Sequence, residues 1–174
     1  MSLFVTDWSV FRNFNPVTDT RLGCTCPRCR GIRPMVSRPF VVCVQKGRTA
    51  HGIPAIILSG SRCEIQNPLV GGSENSDHLY RADGTLLTCG WDIEFLYTKC
   101  DKAFTGLLKQ ARDNFARFRL LKVLLETTTN NTPIVSFLRA YMNAGLNRFG
   151  INYKRNFVHI GLSERNPAEV CWFY

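Results

Sequence analysis

The hydrophobic pattern of this chain changes period near Cys100, and that change limits the folds open to it. Before it, short runs rich in β-branched and aromatic residues are separated by glycine and proline breaks. Pro39–Gln45 (Phe-Val-Val-Cys-Val inside) and Pro54–Ser59 read as two strands that pair antiparallel across Lys46-Gly47 and His51-Gly52. Residues 62–66 alternate and read as a third strand. Residues 67–77, with Pro68, Gly71, Gly72 and Asn75, read as a surface loop. Leu79–Arg81 and Thr85–Thr88 flank Asp83-Gly84, a pair that tolerates positive φ, and so read as a hairpin. A strand over Trp91–Tyr97 follows.

From Asp101 to about Glu126 the spacing is helical. Phe104, Leu107, Leu108, Ala111, Phe115 and Phe118 share one face, with Asp101 as N-cap. A second helix is expected from Thr132-Pro133, with Ile134, Phe137, Leu138, Tyr141 and Met142 as its stripe and a glycine at its end. Residues 151–163 and 168–174 return to strand. Strands, two helices, then strands imply one α+β domain. Its sheet is mostly antiparallel, with the two helices on one face. Its parts are an irregular Cys- and Arg-rich segment over residues 1–38, strands over 39–97, helices over 101–145 and strands over 151–174. The 174 residues suit one core. Trp8, Phe11 and Phe14, three apart, suggest a short helix after Thr6.

No run of about 18 apolar residues is present, so no membrane span or membrane partner is expected. The N-terminus lacks a basic region followed by an apolar run, so no signal peptide is expected. A soluble chain in a reducing compartment, cytoplasmic or nuclear, keeps its eight cysteines free or metal-bound.

The densest constellation is Cys24-Thr-Cys26-Pro-Arg-Cys29. Zinc takes four thiolate or imidazole ligands in a tetrahedron, and a tight loop can supply three. The expected site is a structural zinc on Cys24, Cys26 and Cys29, its fourth ligand Cys43 or His51. The alternatives are a thiol cluster without metal and a redox-active pair, its thiols activated by Arg28 and Arg30.

The net charge is +9, with +6 on residues 1–50, −4 on 51–101 and +7 on 102–174. Arg21, Arg28, Arg30, Arg33 and Arg38 surround the cysteines, and Lys109, Arg112 and Arg117 ride the long helix. Arginine favours two-pronged contacts to phosphate or carboxylate. The leading expectation is therefore a non-enzymatic protein that binds nucleic acid, RNA first, through an arginine-rich, zinc-stabilised loop. The runner-up is an interaction module docking an acidic protein surface. The third is an enzyme using Cys63, Cys89, Cys100 or Cys171 as nucleophile with one of His51, His78 and His159 as base. No spacing selects such a pair, and His159 inside Phe-Val-His-Ile-Gly-Leu reads as a core residue. Asp77, Asp83, Asp92 and Glu94 form an acidic group suited to a divalent cation, although loops and hairpins carry such residues routinely.

Overall fold

The computed structural model of the chain describes residues 3–29, 32–94, 102–129, 131–163 and 166–174. The elements follow in order: α1 (Arg38–His51), β1 (Ile56–Ser59), β2 (Arg62–Cys63), α2 (Gln66–Leu69), β3 (Leu79–Tyr80) and β4 (Gly90–Glu94). After them come α3 (Lys102–Lys109), α4 (Asn114–Thr127), α5 (Pro133–Asn143), β5 (Arg148–Asn152), β6 (Phe157–Gly161) and β7 (Val170–Phe173). One sheet runs β1-β4-β6-β5-β7, antiparallel except for the parallel β5–β7 pair. The short strands β2 and β3 pair parallel beside it. This is the α+β single domain that the change of period implies.

The largest departure is α1, where the sequence pattern predicts a strand. Ser37 sits at the N-cap, Pro39 lies in the first turn, and Gly52 closes the helix at φ 76° with its N–H on the Arg48 carbonyl. Proline is tolerated there and glycine favoured after the end, so the two signals bracket a helix. Phe40, Val41, Val44 and Gly47 are buried, at one- and three-residue steps along one helical face. The β-branched run is tolerated because that face packs on the sheet.

The single long helix expected over residues 101–126 is broken. α3 ends at Lys109, and α4 starts anew at Asn114 because the Asp113 carboxylate accepts from the Ala116 N–H at 2.8 Å. Asp101, read as the first N-cap, and Phe95–Tyr97, the end of the Trp91 strand, lie outside the described residues. Residues 151–163 form parts of two strands, β5 and β6, instead of one. The Asp83-Gly84 turn is present, with Gly84 at φ 76°, but its flanks are not a two-stranded hairpin: β3 pairs with β2. Trp8, Phe11 and Phe14 are buried on successive turns, Phe11 N–H to Trp8 O and Phe14 N–H to Phe11 O, with no helix.

Alternation divides the sheet into two faces. Trp91, Ile93, Val158, Ile160, Phe149 and Ile151 point to the helix side and are buried. Phe40 of α1 meets Trp91 edge-on at 5.0 Å, and Phe118 of α4 stacks on Phe149 at 6.3 Å. The opposite face carries the in-register row Ser59, Asp92, His159, Gly150 and Trp172.

Helix α1 crosses α5 closely because Gly47 lies flat against Tyr141. A Cβ at Gly47 would come within 2.6 Å of that fully buried ring, whose centroid lies 4.4 Å from that of Phe137. Alanine gains about 1 kcal/mol of helix propensity over glycine, but overpacking a close-packed core costs about 1–3 kcal/mol. Gly47→Ala is expected to lower the urea midpoint; an unchanged or higher midpoint would show that the ring can yield.

Candidate metal centre

The polar row is where chemistry collects. Asp92 and His159 are directly paired residues on β4 and β6, so their side chains leave the sheet side by side. His78 precedes β3 and reaches the same point from the side. Three donor atoms converge: His78 Nε2 to His159 Nδ1 is 3.2 Å, His159 Nδ1 to Asp92 Oδ1 is 2.9 Å, and His78 Nε2 to Asp92 Oδ1 is 3.3 Å. All three residues are buried.

The outer edge of each imidazole is tied down. His78 Nδ1 lies 2.7 Å from the Gly60 carbonyl oxygen, which can only accept, so Nδ1 carries the proton. His159 Nε2 lies 3.2 Å from Asp77 Oδ2, again an acceptor. With both rings neutral, each presents a lone pair to the Asp92 oxygen, and three acceptors face one another. Only a cation or a proton reconciles them. Zinc fits: with bonds of about 2.0–2.1 Å, two tetrahedral ligands sit about 3.3 Å apart, close to the three separations here. A backbone carbonyl and a carboxylate on the outer ring nitrogens are the usual supports of zinc-binding histidines.

Asp77 is itself fixed. Its Oδ2 accepts from Arg148 Nε at 2.7 Å and its Oδ1 from Asn166 Nδ2 at 2.5 Å. Arg148 also donates to the Pro167 carbonyl and lies over Trp172. Burial pushes the Asp77 carboxyl up, but His159 and Arg148 outweigh it and hold it well below the usual carboxylate range. Asp92 is likewise held low, as His78 and His159 outweigh its burial. Burial lowers the proton affinity of His78. It opposes charge on His159 too, yet Asp77 and Asp92 prevail and raise that pKa. Without metal, a proton on His159 takes the cation's part.

Two glycines make room. A Cβ at Gly90 would lie 2.6 Å from Asp77 Cβ and 2.8 Å from His159 Nε2, and one at Gly150 would lie 2.5 Å from the Trp172 indole. A cleft of about 560 Å³ opens over the centre, walled by the 70–76 loop, Arg62, Arg148, Arg155, Trp172 and Tyr174. Arg62 is aimed by Ser59, whose Oγ takes its Nε and Nη2 at 3.2 and 2.7 Å, and Nη2 lies 3.7 Å from Asp92 Oδ2.

Most of the residues singled out from sequence fall elsewhere. Cys24, Cys26 and Cys29 come together, but Cys43 does not join them: α1 carries it to Gly145, where a Cβ would meet its Sγ at 3.3 Å. The thiol beside the three is Cys63, delivered by β2. His51 ends α1 with its ring edge-on to Phe137. Of the acidic group, Asp77 and Asp92 meet in the centre, whereas Asp83 binds its own turn at Thr85. Arg21 pairs with Asp19, and Arg112 with Asp113. Arg117 donates to Leu108 O, Cys171 O and Asn114 Oδ1, stitching α3, α4 and β7. Lys109 sits over the Tyr153 ring at 4.2 Å. Arg28 and Arg33 are exposed, Arg38 opens α1 half-buried, and Arg30 lies outside the described residues.

Two imidazoles and a carboxylate at the floor of a polar cleft match the donor set that hydrolytic zinc centres use. The family model for Peptidase M15 matches residues 18–116, more than half of the chain, and the chain belongs to that family. No curated protein and no solved structure matches it. The matched span holds His78 and Asp92; His159 lies beyond it and arrives through β6. M15 peptidases are zinc-dependent, so the expectation of a zinc cofactor holds. The expectation of a non-enzymatic nucleic-acid-binding protein does not. A peptidase family overturns it, and of the basic residues behind it Arg117 turns its donors to backbone carbonyls within the molecule. No helix among the described residues is long and apolar enough to cross a membrane.

Proposed function

We propose that the chain is a zinc-dependent peptidase that hydrolyses an amide bond in the cleft above His78, Asp92 and His159. The observation that supports this reading most is the triangle of His78 Nε2, His159 Nδ1 and Asp92 Oδ1 at zinc-ligand spacing. When bound there, zinc polarises a substrate carbonyl and lowers the pKa of a water. The protein's own groups do the rest. The Gly60 carbonyl and Asp77 hold the two rings in the tautomer and direction required. Asp77, held ionised by Arg148 and Asn166, orients His159 and takes no proton at neutral pH. Arg62 and Arg155 put positive charge on the cleft wall, which suits a peptide with a carboxylate near the cleaved bond. Trp172 and Tyr174 supply an apolar wall to exclude water.

The test is peptide hydrolysis by the purified chain before and after dialysis against a zinc chelator. Activity is expected to vanish with the metal and return with added zinc. Hydrolysis indifferent to the chelator would contradict the reading. A free-carboxylate peptide is expected to be cleaved faster than its amidated form.

A further inference from the structure

Away from the cleft, Cys24, Cys26, Cys29 and Cys63 place their Sγ atoms all within 4.8 Å of one another. We propose that these four thiols hold a second, structural zinc ion, separate from the hydrolytic centre. At a zinc–sulfur bond of about 2.3 Å, tetrahedral thiolates stand about 3.8 Å apart. Cys26 and Cys63 are 3.5 Å apart, too far for a disulfide and right for two ligands of one ion. The four residues are the full complement of a closed structural site, with no position left for water.

Local geometry supports ligation. Pro27 opens a 3-10 turn in which the Cys29 N–H bonds the Cys26 carbonyl, so both thiols of Cys26-Pro-Arg-Cys29 face one way. Backbone amides point at sulfur: Cys63 N–H at Cys24 Sγ and Gln66 N–H at Cys63 Sγ, each 3.4 Å. Such donors favour thiolate over thiol, which has no need of them. Cys24, Cys26 and Tyr80 form a small buried cluster of their own, packed by Met35 and apart from the main core. A few residues form too small an apolar cluster to fix a loop, and a metal supplies the missing energy. Binding balances as one Zn²⁺ taken up and up to four thiol protons released to water.

The ion would brace the hydrolytic centre. Cys63 follows Arg62, and Tyr80 follows His78 by two residues. The Ser61 N–H bonds Leu22 O, and the Arg62 N–H bonds His78 O. Gly60, whose carbonyl holds the His78 ring, abuts the backbone of Arg21 and Leu22, where a Cβ would come within 2.4 Å. The thiol loop thus clamps the strand that supports one zinc-binding histidine.

Metal analysis of the full chain separates the two sites. The parent is expected to carry about two zinc ions per chain and His159→Ala about one. A Cys26→Ser/Cys63→Ser double variant should also carry one fewer than the parent. Should that variant not fold, cobalt-loaded His159→Ala gives the answer without a cysteine change: it is expected to show intense thiolate-to-cobalt charge-transfer absorption. Metal-free His159→Ala, a cobalt spectrum without that band, or disulfides among these cysteines in the purified parent would overturn the assignment.

Discussion

Replacing His159 with alanine is expected to reduce peptide hydrolysis to background. The imidazole supplies one of three donor atoms and separates two buried carboxylates, Asp77 and Asp92, each bonded to one of its nitrogens. A bound metal contributes several kcal/mol of transition-state stabilisation, so losing it corresponds to at least about a thousandfold in rate. The alanine also leaves two carboxylates facing an emptied space, and an uncompensated buried charge costs about 3–5 kcal/mol. Zinc content, kcat/KM and thermal unfolding should all fall together. Asp77→Asn separates holding the metal from aiming the ring. It leaves the donors in place but weakens the support at His159 Nε2, for which a loss of about 10–100-fold in metal affinity or activity is expected. Equal losses in the two variants would show Asp77 to be more than an orienting group.

Gly90→Ala is expected to do damage comparable to that of Asp77→Asn without touching a donor. The added methyl would stand 2.6 Å from Asp77 Cβ and 2.8–2.9 Å from the His159 ring atoms Nε2 and Cε1. None of these is a free chain end. Asp77 is pinned by Arg148 and Asn166, and the ring is pinned by both aspartates, so the methyl must part Asp77 from His159. Zinc affinity and kcat/KM are expected to fall at least about 10–100-fold, as for losing the carboxylate support. Far-ultraviolet circular dichroism should keep its native form, because β4 retains its partners on both sides. Unchanged zinc affinity would show that the row has slack.

Most of the architecture was legible in residue pattern, and the misses have local causes. The second helix at Pro133, the strands around Ile57, Trp91 and Val158, and the Gly84 turn all follow from period and turn chemistry. Pro39–Gln45 is strand-like in composition, yet Ser37, Pro39 and Gly52 bracket a helix whatever lies between. The break at Asp113 was readable in the same way, as a capping side chain inside an apolar stripe.

The candidate metal centre was hidden for a different reason. His78, Asp92 and His159 are far apart along the chain, and only the register of β4 on β6 sets Asp92 beside His159. His159, inside an apolar run, resembles a core residue because one face of its strand is core. One signal was available: Asp77-His78 just before β3, and on β4 Asp92 between the apolar Trp91 and Ile93, a carboxylate buried on the polar face of the strand. The thiol loop was visible because three of its residues are local; its fourth, Cys63, needed the pairing of β2 with β3.

The most direct test of the hydrolytic centre is anomalous X-ray diffraction at the zinc edge from crystals of the zinc-loaded chain. The structure predicts a peak in contact with His78 Nε2, His159 Nδ1 and Asp92 Oδ1, at about 2.0–2.2 Å from each. A zinc-loaded crystal with no peak among those three atoms, or with its peak on the Asp77 side of the His159 ring, would contradict the account.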